Sequence, residues 1–517
     1  MAGLPPAAQD GGSPATTFHG PRLVLAGFVL AMANFIVVLD MTIANVSIPH
    51  IAGGLAVSTQ SATWVITSYA VAEAICVPLT GWLAGRFGAL RTFTISLAGF
   101  GLFSALCGLS GSLSWLVLFR LGQGLCGGPL MPLTQTLLLR IFPREMHPRA
   151  MALWAMTVVT APIFGPILGG VISDNWSWEW IFYINVPIVI LILVMVFVLL
   201  RGVETPTFKL PIDFVGLILL VIWVGAFQTM LDLGREDDWF SSTKIVTLAV
   251  VAAIFFCVFL IWELTEDHPI VDLRVFRHRG FTAATIALMI GFGTYFASVV
   301  IIPQFLQTTM GYTATEAGYA MAFSGVLAVI MSPFVPKLMQ RLDPRLLVFV
   351  GISWIGFCAV LRTWWTTDST FWQFSYPQLL QGMGVSLFMV PLTTISLAAV
   401  DPDETASAAG LANFGRTLAG AMATAIVTTI WSDLGRTRGA ELASTLNGAQ
   451  ATSEALQAAG MSAGQARGTI SDLVAQQATT LATTHLFALA AVALMLAAMA
   501  IWLAPRPPRD SQPAAAH

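Results

Sequence analysis

The chain has 517 residues, of which 56% are hydrophobic and only 10% charged, with a formal net charge of −3. Soluble globular domains carry roughly 25% charged residues, so most of this chain is excluded from water. The near-neutral balance also excludes nucleic acid as a partner. Five cysteines (Cys76, Cys107, Cys126, Cys257 and Cys358) lie in apolar stretches with no metal-binding or redox spacing, and read as small core residues.

In chain order, residues 1–21 are an Ala/Pro/Gly-rich tail whose first basic residue is Arg22, so no cleaved leader is expected and the tail should be cytoplasmic. A membrane-crossing helix takes about 20 mostly apolar residues. Runs of that kind predict spans near 23–46, 63–83, 92–112, 114–139, 150–172, 180–200, 212–232, 244–264, 281–304, 316–340, 345–366, 374–398, 404–432 and 481–503. The predicted class is an all-α polytopic membrane protein with about fourteen transmembrane helices. Its expected parts are a six-helix bundle over 22–200, two inserted helices with linkers over 201–280, a second six-helix bundle over 281–503, and a cytoplasmic tail over 504–517. The bundle over 281–503 includes a long external loop, 433–480, rich in Ala, Gln, Thr and Ser. That composition suits a short helical hairpin or a mobile segment.

With the N-terminus inside, sixteen of the 24 Lys and Arg residues fall on the cytoplasmic side, six outside (among them Arg362) and two, Arg120 and Arg416, within spans. This bias orients the chain with both termini in the cytoplasm. The acidic 399–405 turn, with Asp401, Asp403 and Glu404, runs against it. Trp176, Trp178 and Trp180 sit where span 5 meets span 6, as an interfacial aromatic belt would.

An internal repeat runs through the chain. Gln123-Gly124 followed by Met131-Pro132-Leu133-Thr134 returns as Gln381-Gly382 followed by Met389-Val390-Pro391-Leu392-Thr393, and Pro78 aligned on Pro333 sets Arg86 opposite Arg341. Spans 1–6 thus match spans 9–14, with spans 7 and 8 inserted. Gln378 falls opposite Arg120, Ala328 opposite Glu73, and Thr294 opposite Asp40. The second half is therefore expected to lack the intramembrane charge of the first, leaving ion coupling to the N-terminal half.

Charged groups at bilayer depth cost about 2.5–3.5 kcal/mol or more and mark ion or substrate pathways. Asp40 lies six residues before the outer end of span 1, and Arg120 six after the outer start of span 4. At 1.5 Å rise per residue both sit about 9 Å below the surface and can pair. The pair is either a static clamp or a proton site gated by the approach of Arg120. Glu73, mid-span in helix 2, is a second candidate for protons or a cationic substrate, and Arg416 is similarly deep in span 13. Asn34, Asn45, Gln123, Asn413 and Arg416 are the candidate polar lining of a substrate cavity. In span 5, Pro162, Gly165, Pro166, Gly169 and Gly170 form a face for close helix packing.

These stretches resemble the major facilitator superfamily, specifically its fourteen-span drug:proton antiporters of the EmrB/QacA type, along nearly the whole chain. Leu39 to Pro49 resembles that family's span-1 motif, and Gly81-Trp82-Leu83-Ala84-Gly85-Arg86-Phe87-Gly88, followed by Arg91, its gating loop 2–3. Arg120-Leu121-Gly122-Gln123-Gly124 is similar to the span-4 proton-coupling motif, and Gly165-Pro166 with Gly169-Gly170 to the antiporter motif. Thr63 to Ser68, Asp238 to Ser242, Pro269 to Leu273 and Arg416 to Gly420 resemble the EmrB branch. Two positions depart from the pattern: Gly85 stands where an aspartate is usual, and Glu73 where a neutral residue is. The resemblance implies a major facilitator fold, a bacterial inner-membrane multidrug exporter, and a proton gradient with no cofactor or metal. It also implies lipophilic drug-like substrates, surrounding membrane lipid, a periplasmic (EmrA-like) adaptor and an outer-membrane channel. A solitary exporter or a proton-coupled importer remains open.

Other classes lack their motifs. None of Lys209, Lys244 and Lys337 follows a glycine, so there is no GxxxxGK[ST] phosphate loop. The seven histidines offer no HExxH constellation. The chain is expected not to be an enzyme.

Overall fold

A backbone in hydrocarbon must satisfy its own hydrogen bonds, and continuous apolar runs do so as helices. The computed structural model describes residues 18, 20–208, 211–445 and 448–503, which are helical with no strand among them. Residues 1–17 and 19 of the predicted N-terminal tail, the tail 504–517 and Lys209 lie outside the described residues.

The helices are α1 (Pro21–Gly54), α2a (Trp64–Cys76), α2b (Thr80–Phe87), α3 (Ala89–Gly108), α4a (Leu113–Gly127), α4b (Leu130–Ile141), α5 (His147–Asn175) and α6 (Asn185–Leu199). Next come α7 (Phe214–Leu233) and α8 (Thr243–Thr265). The second half follows with α9 (Arg279–Thr308), α10a (Ala314–Met331), α10b (Val335–Arg341), α11 (Pro344–Arg362), α12 (Phe371–Ala398), α13 (Thr405–Thr445) and α14 (Ala463–Ala500). Among the described residues, eleven helices are long and apolar enough to cross a membrane, and thirteen if the bent pairs α2a–α2b and α10a–α10b each count as one. The remaining predicted span, 114–139, is split by Gly128 and Pro129 into α4a and α4b, 15 and 12 residues long.

The bends carry the repeat. α2 turns by 58° and α10 by 49°, each at the proline the alignment equates, Pro78 and Pro333; proline has no N–H to continue the helix. Packing repeats too: α1 on α5, α2a on α4a and α3 on α4a and α6 are matched by α9 on α13, α10a on α12 and α11 on α12 and α14. Inserted α7 and α8 pair with each other, and α7 lies against both α2a and α13. The halves meet where α5 packs on α10a and α12, and where α13 packs on α2b and α4b.

Three expectations can be set against the structure. Of the two alternatives for segment 433–480, its described residues take the helical one: α13 runs on to Thr445, a short helix spans Ala449–Ala458, and α14 starts at Ala463 behind a Ser462/Gln465 capping box. The acidic 399–405 turn is neutralised locally. Glu404 accepts from Arg277 at 2.7 Å and sits 2.9 Å from the His278 ring, while Asp401 lies 3.7 Å from Arg277. Arg362, expected outside, is instead fully buried in the C-terminal bundle at the last turn of α11. The second half is therefore not free of buried charge.

Matched glycines set the closest approaches. A Cβ on Gly124 would lie 2.4 Å from the Tyr69 carbonyl oxygen, and one on the equivalent Gly382 would meet the Ser324 carbonyl. Overpacking a tight contact costs about 1–3 kcal/mol. Gly124→Val and Gly382→Val are each expected to lower the detergent-solubilised melting temperature by several degrees, whereas Gly464→Ala, with open space around it, leaves it unchanged. Fluorescence-detected size exclusion after heating measures this, and a wild-type melt for Gly124→Val would contradict the packing.

Candidate functional site

Asp40, 2% exposed, comes from the middle of α1, and Arg120, fully buried, from the second turn of α4a. Arg120 Nη1 donates to Asp40 Oδ2 at 2.5 Å. The other carboxylate oxygen, Oδ1, accepts from Gln123 Nε2 at 3.0 Å and from Asn185 Nδ2 at 2.7 Å. Arg120 is itself held by the Val65 carbonyl (3.1 Å) and Gln123 Oε1 (2.8 Å), and its guanidinium lies 4.2 Å over the Tyr69 ring. Asn185 Nδ2 also reaches Ser104 Oγ at 3.0 Å. Three donors thus converge on one carboxylate. A buried ion pair holds only when its remaining hydrogen-bonding capacity is met, and here α1, α3, α4a and α6 each contribute to meeting it.

Helix α5 keeps α1 in place. Cβ atoms on Gly165 and Gly169 would collide with Thr42 and come to 3.0 Å from the Ile43 carbonyl, so the small residues let α5 touch α1 within a turn of Asp40. Gly170 faces Thr315 of α10a, and Pro162 is half-buried on the same helix. The side chain of Pro166 lies outside the described residues.

A second polar group lies on the seam between the halves. Asn413 on α13 donates to Gln135 Oε1 on α4b at 2.6 Å, and Arg416 Nη2 reaches Met131 Sδ at 3.0 Å and Asn413 Oδ1 at 3.2 Å. The Arg416 guanidinium rests 4.7 Å from the Phe292 ring and 5.6 Å from that of Trp154. Glu73, 1% exposed on α2a, has an Oε2 with no hydrogen-bond partner and feels the charges of Arg416 and Arg120. Asn34 stands apart, donating to Thr157 on α5 at 2.5 Å. Asn45 is exposed on α1 and joins neither group.

The sequence pattern of the Major Facilitator Superfamily matches residues 30–424. The chain belongs to the major facilitator superfamily. It is 44% identical over 495 residues to the Multidrug export protein EmrB of Escherichia coli (strain K12), covering 95% of this chain and 96% of that one. To the Fatty acid resistance protein FarB of Neisseria gonorrhoeae it is 42% identical over 499 residues, covering 95% and 98%. Among solved structures it resembles the proton:xylose symporter XylE, with a TM-score of 0.59 at 12% identity, covering 95% and 97%. The human organic anion transporter MFSD10 aligns with a TM-score of 0.54 at 14% identity, covering 92% and 100%. At such identities these structures speak to the fold alone, which is that of the superfamily. The chain is a multi-pass membrane transporter.

On this major facilitator scaffold, sequence reasoning missed several groups. Asn185, Ser104 and Tyr69 complete the Asp40 shell. Arg362 donates to Gln378 Oε1 at 2.8 Å and to Gln381 Oε1, the repeat equivalents of Arg120 and Gln123. Asp232 of α7 bonds Gln228 at 3.1 Å and Thr67 of α2a. The gating-loop residues split in role. Gly81 abuts Ser407 of α13, Gly88 has φ +94° and permits a tight approach by Glu204, Arg91 lies 3.8 Å from Glu204, and Arg86 is half-buried.

Removing one partner of a buried pair strands the other charge and costs about 3–5 kcal/mol, whereas neutralising both costs far less. Arg120→Ala is therefore expected to melt well below the parent, and Asp40→Asn/Arg120→Gln to recover most of that loss. A double variant no more stable than Arg120→Ala would mean the pair is not the interaction that holds these helices.

Proposed function

We propose that the chain is a drug:proton antiporter of the bacterial inner membrane, with both termini cytoplasmic, exporting lipophilic toxic compounds by alternating access. One observation carries the reading: a carboxylate at bilayer depth, held by an arginine and two amides inside a single half. A proton taken by Asp40 removes the charge that Arg120 holds, so loading and unloading of the proton alter how α1 and α4a bind each other. Gly165 and Gly169 of α5 transmit that change from α1 toward the seam with α10a. Relatives named for multidrug export and fatty acid resistance support apolar, chemically varied substrates.

Moving one charge through 100 mV is worth about 2.3 kcal/mol, and a 100-fold gradient costs about 2.7 kcal/mol. One or two protons per cycle suffice, with no cofactor. On the seam, Glu73 provides a second carboxylate for a proton or a cationic substrate, beside the polar lining formed by Gln135, Asn413 and Arg416. The short helix Ala449–Ala458, between the ends of α13 and α14, offers an external surface for a periplasmic adaptor leading to an outer-membrane channel.

Everted vesicles with an acid interior should accumulate a lipophilic dye and lose protons as they do. Asp40→Asn is expected to abolish the uphill component; undiminished accumulation would remove Asp40 from coupling. Glu73→Gln should retain export of a neutral dye while cutting that of a cationic dye about tenfold or more, the scale of a lost buried charge contact. Equal retention of both dyes would leave Glu73 outside substrate recognition. Affinity capture of an adaptor, lost on deleting 446–462, tests the three-part arrangement.

A further inference from the structure

Loop 2–3 of this chain carries Gly85 and therefore no acidic side chain of its own between Gly81 and Arg91. Yet the start of α3, immediately after the loop, is occupied by a carboxylate. Glu204, from the linker that follows α6, accepts from the backbone N–H of Leu90 at 2.9 Å and of Arg91 at 3.0 Å. Next to it, Thr205 Oγ1 accepts from Ala89 N at 2.8 Å. The first N–H groups of a helix have no partner within the helix, and the positive end of its dipole favours an anion; here the linker supplies both needs. The approach depends on Gly88, because a Cβ there would stand 2.4 Å from Glu204 Oε1.

The same linker is fastened at three further points. Arg140, at the end of α4b, donates to the Glu204 carbonyl at 2.6 Å, Phe208 N donates to the Gly85 carbonyl at 2.8 Å, and Trp82 Nε1 donates to the Pro211 carbonyl at 2.9 Å. Helix α2b, which leads into the loop so braced, is one of the parts of the N-terminal half that meet α13, beside α4b. Gly81 lies against Ser407, and a Cβ on Gly410 would come to 3.0 Å from the Val77 carbonyl. The linker leads directly into α7, which packs on α2a and α13 together.

We propose that Glu204 is the positioning residue of this gate: a carboxylate supplied by the linker to the inserted helices, locking loop 2–3 and α3 so that Gly81 closes on Ser407. The proposal rests on the alternating-access reading above. The inserted pair is thereby part of the gate, since its linker provides the anchor that loop 2–3 lacks.

The test uses the full chain in everted vesicles, with its five cysteines replaced and one reporter at a time, Ser407→Cys on the braced side or Thr315→Cys, which faces Gly170 at the other end. Glu204→Ala should raise the maleimide labelling rate at Ser407→Cys about fivefold, the scale of a lost helix cap. Glu204→Gln, which keeps one acceptor, should raise it about twofold. Thr315→Cys, labelled from the opposite side, should not gain reactivity in either variant. Should Glu204→Ala fail to reach the membrane, Thr205→Val removes the neighbouring cap and is expected to shift the Ser407 reporter in the same direction. Rates within experimental error of the parent at Ser407→Cys in the Glu204 variants, or a parallel rise at both reporters, would overturn the proposal. Because labelling needs neither substrate nor proton gradient, a parent that fails to exchange drug for protons would sink the antiport reading and leave this result standing.

Discussion

A single carboxylate in the wrong solvent governs the N-terminal half. Asp40 is affordable at its depth only because Arg120, Gln123 and Asn185 all donate to it; those donors come from two helices, α4a and α6, and Asn185 is braced on α3 through Ser104. Arg120 in turn needs the Val65 carbonyl and the Tyr69 face, which brings in α2a. Five of the six helices in this bundle are thus positioned by one buried charge. The sixth, α5, touches α1 within a turn of it through Gly165 and Gly169. Breaking one donor exposes the others to the cost of an unsatisfied buried group, so the shell can be expected to respond as a unit.

The two halves solve the same packing problem with different chemistry. Gln378 and Gln381 replace Arg120 and Gln123, while the arginine moves to the third helix of its bundle, where Arg362 bonds both glutamines. In the first half, Cys107 lies 3.6 Å from Gln123 in the corresponding place. The C-terminal bundle therefore keeps a cation and two amides, but among the described residues no carboxylate comes into hydrogen-bonding contact with them. Among the described residues Asp40 thus has no counterpart there, which fits the antiport proposed above with coupling in the N-terminal half, even though both halves bury charge.

The pattern of what could be read from the chain follows from how far each signal reaches along it. Helix lengths, the repeat and the Asp40–Arg120 pairing follow from a fixed rise per residue, so depth could be counted. Asn185 was missed because it follows a tryptophan-rich interface, and only the return of α6 across α1 brings it to Asp40. Arg362 was misjudged because it is the last residue of its helix, where a shift of one turn separates solvent from core. Glu204 left no trace because a helix N-terminus can be capped by any distant acidic residue that tertiary structure delivers. Asn45, polar and inside the span-1 motif, points away from both polar groups.

The geometry also separates what must move from what must not. Every bond in the Asp40 shell lies within one half, so a rocking of the halves leaves the shell intact. The contacts Asn413–Gln135, Arg416–Met131 and Gly81–Ser407 join opposite halves, and any opening at their level must break them. On the antiport mechanism proposed above, protonation and opening occur at different places and need a mechanical link. Two are present: α5, which touches α1 beside Asp40 and α10a across the seam, and α7, which contacts α2a and α13 while its linker clamps loop 2–3. The inserted helices are thus not a passive addition to a twelve-helix scaffold, because they bear on both sides of the joint that alternating access has to work.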